Sequence, residues 1–299
     1  MILTIDEQLQ NLMVDCVDNG QKRETRSGLV RGVFRREIVW DMRHSLPFPM
    51  TKKLMYKAMM GELLWFCNGE TTLSSLRHYS GLAEDAWTIW NNDCERWHQV
   101  PHYGMDGTDI SKDDLGDLYG HQWRNWGGDR YFKRGVDQLQ NLVDNMKNSP
   151  MSRYLIVQAY NPETVLKSKA ALPPCHTGFQ VYVDAETGEF DLNWSQRSCD
   201  VFLGIPFNIA SYGMLMMILG KLTGLTPRFL YGDLKDTHVY EAHIPAVETQ
   251  LDRNARFCTA FIEMPEFESL DDLKNLTAED FVLVGYEPDP GIKAPLLVG

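Results

Sequence analysis

Cys175 stands directly after two prolines and directly before His176, in "LPPCHTGFQVYV" (172–183). A thiolate is a strong, soft nucleophile, but a thiol stays mostly protonated at neutral pH unless a cation or base sits near it. Adjacent strand residues point to opposite faces, so position alone does not make His176 the base for Cys175. On this stretch a packed cysteine and an activated nucleophile are both open. "MGELLWF" sets Glu62 among apolar neighbours, either at the surface or as a buried acid with a raised pKa. In "QRSCDVFLGIPFNIASY" (196–212), Gln196, Arg197, Ser198, Asp200 and Asn208 gather around a Gly-Ile-Pro turn. Arg197 suits a phosphate. Asn208 either caps the helix opening there or offers a donor and an acceptor together to a planar edge such as uracil. His238 and Tyr240, in "DTHVYEAH" (236–243), are placed to meet a sugar hydroxyl.

These groups need elements to position them. Phe179, Val181 and Val183 alternate with Gln180 and Tyr182, the period of a half-buried strand. The run 178–198 predicts two strands joined by a turn at Thr187-Gly188. Residues 152–160, "SRYLIVQAY", predict a strand apolar on both faces. The N-terminal run "MILTIDEQLQNLMVD" predicts an amphipathic helix. So do 51–69, ending near Gly69, and 129–150, with a stripe of Phe132, Val136, Leu139, Val143 and Met146 closed by Pro150. "NIASYGMLMMILGKLTG" is apolar on nearly every face and predicts a central helix. The polar stretch 91–118, with Gly104 and Gly107, predicts a surface insertion. Together these give one α+β domain over 1–299.

The chain has 299 residues, 43% hydrophobic and 23% charged, the profile of a soluble globular protein with a sizeable core. Its net charge of -12 argues against broad binding to nucleic acid or anionic membranes, but not against a small anion in a local basic pocket. The six cysteines (16, 67, 94, 175, 199 and 258) are scattered, with no CxxC pair, so neither a metal site nor a disulfide framework is expected. With no basic leader and no segment long enough to span a bilayer, a cytoplasmic, reducing compartment is the expectation, or a host cytoplasm for a phage protein.

"TRSG" (25–28), "ELLWF", "YGHQWR", "LPPCH", "QRSCDVFLGIPFNIASY", "DTHVY" and "GYEPDPGIKAP" (285–295) together resemble the thymidylate synthase family, which includes pyrimidine hydroxymethylases. The resemblance runs over nearly the whole chain. It implies an α+β fold, a mixed sheet packed by helices, and a homodimer with sheets back to back. It implies dUMP and 5,10-methylenetetrahydrofolate as substrates. Cys175 resembles the nucleophile that adds to pyrimidine C6, and Glu62, Tyr119 and His176 the network around the ring. Asn208 resembles the uracil-pairing residue. Arg26, Arg197, Ser198 and, from the other subunit, Arg153 resemble phosphate ligands, with Gln196 also at the substrate. His238 and Tyr240 resemble ribose contacts, and Trp90, Asn91 and Asp200 mark the folate side.

The chain departs from the family pattern in places. Tyr154 follows Arg153 where a second arginine is usual, Asn91 stands for an aspartate and Lys235 for a glycine. "YGDLKD" and the tail "PLLVG" are slightly long. Several departures cluster where folate binds, and two outcomes follow from the resemblance: reductive methylation to dTMP, or hydroxymethylation to 5-hydroxymethyl-dUMP. A silent nucleotide- or RNA-binding relative is a third, disfavoured by the retention of Cys175, Glu62 and Tyr119.

Overall fold

A computed structural model describes residues 3–99, 111–129 and 134–297. Helix α1 (Ile5–Asn19) starts where the Thr4 hydroxyl accepts from the Glu7 amide at 3.1 Å and the Glu7 carboxylate accepts from the Thr4 amide at 2.6 Å. A hairpin follows, β1 (Gln21–Thr25) and β2 (Gly28–Asp41), with Arg26 and Ser27 at its tip. Gly28 takes φ 123°, a conformation open to glycine at little cost.

Next come α2 (Tyr56–Cys67), α3 (Leu73–Tyr79), α4 (Asn91–His98), α5 (Tyr119–Asn125) and α6 (Gln138–Asn148). The predicted helix at 51–69 is shorter at its front. Met50 and Thr51 donate their amides to Asp6 Oδ1 at 2.9 and 3.1 Å, and the Lys52 ammonium donates to the Phe202 carbonyl. Partners far along the chain thus outcompete the helix at 51–55. The predicted helix at 129–150 begins only at Gln138. Asp137 caps it, accepting from the Gln140 amide at 3.0 Å, and Val136 instead forms a bridge with Trp126. Leu139, Val143 and Met146 are buried as expected, and Phe132 lies outside the described residues. Of the stretch 91–118, α4 buries Cys94 and Trp97, and Leu115 and Leu118 join the core; Gly104 and Gly107 lie outside the described residues.

The second half supplies β3 (Ile156–Gln158), α7 (Pro162–Leu166), β4 (His176–Asp184), β5 (Glu189–Asp200), α8 (Gly204–Thr223), β6 (Thr226–Tyr240), α9 (Ile244–Leu251), β7 (Phe261–Glu263) and β8 (Val282–Val284). The long strands form one mixed sheet in the order β1-β2-β6-β5-β4-β3, with β5 and β6 parallel and every other pair antiparallel. The hairpin predicted over 178–198 is there, turning at Gly188 with φ 71°. The strand predicted over 152–160 is shorter: its ladder with β4 covers 156–158, with flanking backbone bonds from the Val181 amide to the Leu155 carbonyl and from the Ala159 and Tyr160 amides to the Thr177 carbonyl. Contrary to the expectation that no segment is long enough to span a bilayer, α8 is, by length and composition, because the helix starts at Gly204, ahead of the apolar run; it is apolar almost all round and mostly buried in the core.

Val157, Phe179, Trp194, Gly232 and Ile38 form one buried row across the inner face of the sheet. Trp194 lies flat enough to stack on Tyr212 of α8, ring centres 5.1 Å apart. Gly232 makes room for it: a Cβ there would sit 2.4 Å from the indole and 2.7 Å from Ile38 Cγ2. Gly232→Ala is therefore expected to destabilise the protein by roughly 1–3 kcal/mol through overpacking. A lowered urea midpoint checks this; an unchanged one would mean the row can spread. The opposite face is open in the single chain, where Ile156, Gln180, Asn193 and Tyr182 (65% exposed) look outward, with Tyr154 (85%) beside them.

Candidate active site

Cys175 sits immediately before β4, half-buried, where two prolines stiffen the approach. Its loop is tied on three sides. The Cys175 amide donates to the Tyr119 hydroxyl at 2.6 Å, and the His176 amide donates to the same oxygen at 3.3 Å. The Arg197 amide donates to the Cys175 carbonyl at 2.9 Å. The Arg197 side chain runs beneath, Nε to the Pro174 carbonyl at 2.9 Å and Nη2 to the Pro173 carbonyl at 2.7 Å, leaving Nη2 4.0 Å from the Cys175 sulfur. Burial pushes the thiol's pKa up, the charges of Arg197 and Arg26 pull it back, and Asp93 opposes them.

Tyr119 opens α5 and is buried, which holds its phenol well above the usual range and keeps it neutral. Its ring packs on Phe66 of α2, centroids 4.8 Å apart, and on His176 at 5.2 Å. His176 is pushed down to about 4 by burial, with a hydrogen bond to Asn208 working the other way. It is a neutral imidazole at physiological pH.

Asn208 is not the helix cap, because α8 begins at Gly204 and leaves Asn208 a turn inside. Its amide is oriented by a short relay. An indole N–H can only donate, so Trp194 Nε1 meets Gln196 Oε1, at 3.2 Å. That leaves Gln196 Nε2 to donate to Asn208 Oδ1 at 3.0 Å and to the Ser198 carbonyl at 2.9 Å. The Asn208 oxygen is thus turned towards Gln196, and His176 is a further hydrogen-bond partner of the same amide.

Glu62 projects from α2 and accepts from the indole of Trp90 at 2.7 Å, across 28 residues of sequence. Burial raises its pKa to about 7, and the indole bond opposes this. Trp90 is buried at the start of α4. Asn91 spends Oδ1 on the Thr88 amide and hydroxyl, at 2.7 and 2.8 Å. Asp200, at the end of β5, accepts from the amides of Phe202 and Leu203 through Oδ1 alone. His238 lies opposite Asp200 on β6, its Nδ1 3.0 Å from the Asp236 carbonyl and its ring edge-on to Tyr240. Arg26, at the β1–β2 tip, acts by its charge on Cys175 and on Tyr240. Arg153 is exposed ahead of β3 and has no ion-pair partner among the described residues.

Two residues escaped the sequence reading. Lys52 is buried over the Phe202 ring, 3.7 Å from its centre; burial lowers its pKa to about 8 while the charge of Asp200 holds it up. His243 is fully buried, Nε2 2.9 Å from the Pro295 carbonyl of the tail and Nδ1 3.9 Å from Asp200 Oδ1. His243 was in view at the end of "DTHVYEAH"; nothing in the sequence marks Lys52.

The family model described as thymidylate synthase matches residues 7–298. A protein of Escherichia phage T5 named probable thymidylate synthase is 42% identical over 294 residues, 97% of this chain and 99% of that protein.

Proposed function

Since the chain belongs to the thymidylate synthase family, we propose that it methylates dUMP at C5 to give dTMP. The observation that carries this reading is the pairing of Cys175 with an oriented Asn208 amide, bridged by His176. The sulfur adds to C6 of the uracil ring, and the displaced electron pair moves towards C5 and O4, making C5 nucleophilic. The Asn208 NH₂ donates to O4 and its oxygen accepts from N3–H. Glu62, poised near neutral, relays protons around C5 and O4. Arg26, Arg197 and Ser198 hold the phosphate, and His238 with Tyr240 the ribose.

Methylenetetrahydrofolate, when bound, supplies the one-carbon unit and then the hydride. The chain fits it: Asp200 Oδ2 takes no hydrogen bond among the described residues and offers an acceptor, Trp90 gives an aromatic wall, and Lys52 gives a cation beside Asp200. The unusual residues are absorbed locally. Asn91 is tied to Thr88, Lys235 pairs with Asp233, and the tail is anchored through His243 and through Arg253 on the Pro290 carbonyl. In this reading the buried Trp90 keeps water from the one-carbon unit, which favours hydride transfer. Incubation with dUMP and methylenetetrahydrofolate should yield dTMP with rising dihydrofolate absorbance. Release of 5-hydroxymethyl-dUMP without dihydrofolate would overturn methylation.

Glu62→Gln should separate function from stability. The folded-state pKa of about 7 lies above the ordinary 4.5, so the fold favours protonated Glu62 and loses stability as pH rises through 7. The variant is expected to turn over roughly 10²-fold slower or worse, yet to gain about 1–3 kcal/mol relative to wild type at pH 8 and nothing at pH 4. Denaturation midpoints at the two pH values check the sign; equal shifts at both would refute it.

The open sheet face with Ile156, Tyr182 and Tyr154 supports a homodimer, in which exposed Arg153 reaches the neighbour's phosphate. Cys175→Ser and Arg153→Glu, each inactive, should regain part of the activity when refolded together, because a mixed dimer holds one intact site. A fully active monomer in sedimentation would exclude the arrangement.

A further inference from the structure

A cavity of about 300 Å³ opens beside the Cys175 loop, and two guanidinium groups line it, Arg26 and Arg96. Pro173 forms part of its wall; the carbonyl of that residue is the one bonded by Arg197. The cavity therefore abuts the loop that carries the nucleophile. Arg96 lies in the last turn of α4 and is paired with Asp93, one turn earlier. Asp93 is buried, and Arg96 keeps 38% of its side chain exposed. The charge of Arg26 also acts on Asp93, and that of Asp93 on Cys175.

We infer that Arg96 is a further cation for the substrate's phosphate, held in place by Asp93 and acting with Arg26 across this cavity. The inference rests on the nucleotide reading above and extends it. Four charged or chargeable groups, Asp93, Arg96, Arg26 and Cys175, share one neighbourhood. An uncompensated carboxylate there would repel both a thiolate and a phosphate dianion. Arg96 neutralises it, and the buried Asp93 in turn limits the conformations Arg96 explores before substrate arrives. A guanidinium has five donors, so bonding Asp93 leaves others for phosphate oxygens. Trp97, Val165, Ala170 and Ala171 add an apolar wall, which strengthens the attraction of the two cations for an anion.

Calorimetry on the full chain tests this with dUMP, inorganic phosphate and deoxyuridine as probes. Arg96→Gln is expected to weaken dUMP and phosphate binding about tenfold, the loss of one charge-assisted contact, and to leave deoxyuridine binding unchanged. In kinetics the change should fall on the KM for dUMP and spare kcat. Arg96→Lys, which keeps the charge without the fork, should lie between the two. Unchanged dUMP and phosphate binding in Arg96→Gln overturns the inference, and so does an equal loss for dUMP and deoxyuridine, which marks a structural role. Wild type that takes up phosphate but not dUMP would fail the nucleotide reading separately, and with it the claim that the phosphate belongs to that substrate.

Discussion

Cys175→Ser is expected to lower dUMP turnover by several orders of magnitude while leaving dUMP binding nearly intact. The two side chains are close in size, and the backbone bonds to Tyr119 and from Arg197 do not involve the sulfur. The difference is acidity. The site already taxes charge at this position through burial, with Arg197 and Arg26 easing the formation of a thiolate. A hydroxyl starts far more basic than a thiol, and the same two cations cannot make up that gap. Calorimetry should show dUMP affinity retained, and 5-fluoro-dUMP should label wild type at the peptide containing Cys175 and leave the variant unlabelled. Labelling of another cysteine, or a substantial residual rate, would remove Cys175 from the mechanism. The other five cysteines are buried, so an alternative nucleophile would need the site to reorganise.

Asn208→Asp should shift base preference from uracil towards cytosine. In wild type the Trp194–Gln196 relay fixes the Asn208 oxygen towards Gln196. Uracil offers an acceptor at O4 and a donor at N3, and both are met. Cytosine offers a donor and an acceptor in those places, and both clash. Each mismatched buried group costs about 1–3 kcal/mol, so dUMP should be preferred over dCMP by at least tens of fold. An aspartate keeps the bond from Gln196 and turns the second position into an acceptor for the cytosine amine. The ratio of kcat/KM values for the two nucleotides should narrow or invert. Equal use of dCMP and dUMP by wild type would refute the assignment of Asn208.

The hairpin over 176–200 and helix α8 were legible because their patterns are local: alternation on one, apolar residues all round on the other. The front of α2 was not legible, because Asp6 and Phe202, distant in sequence, decide where residues 50–52 go. The Glu62–Trp90 bond spans two elements and leaves no periodic trace. The orientation of Asn208 depends on which face of β5 carries Trp194 and Gln196, which follows from register and not from composition. Motif resemblance proposes residues for the site, but the relay through Trp194, Gln196 and Asn208 is a property of packing. Arg153 is exposed ahead of β3, and its assignment rests on the resemblance alone.

Strand β6 is the last long strand in the chain and lies in the middle of the sheet, between β2 and β5. While the protein is being synthesised, β1–β2 and β3–β5 exist as two separate pieces, each with an unpaired edge facing a strand not yet made. Apolar α8 emerges after both, before β6 can close the gap. Folding therefore finishes by inserting one strand through contacts far apart in sequence, the slow kind of step. Until Tyr240 is available, two sticky edges and an uncovered apolar helix are exposed together, so chaperone protection matters most for the nascent chain between about residue 200 and residue 240.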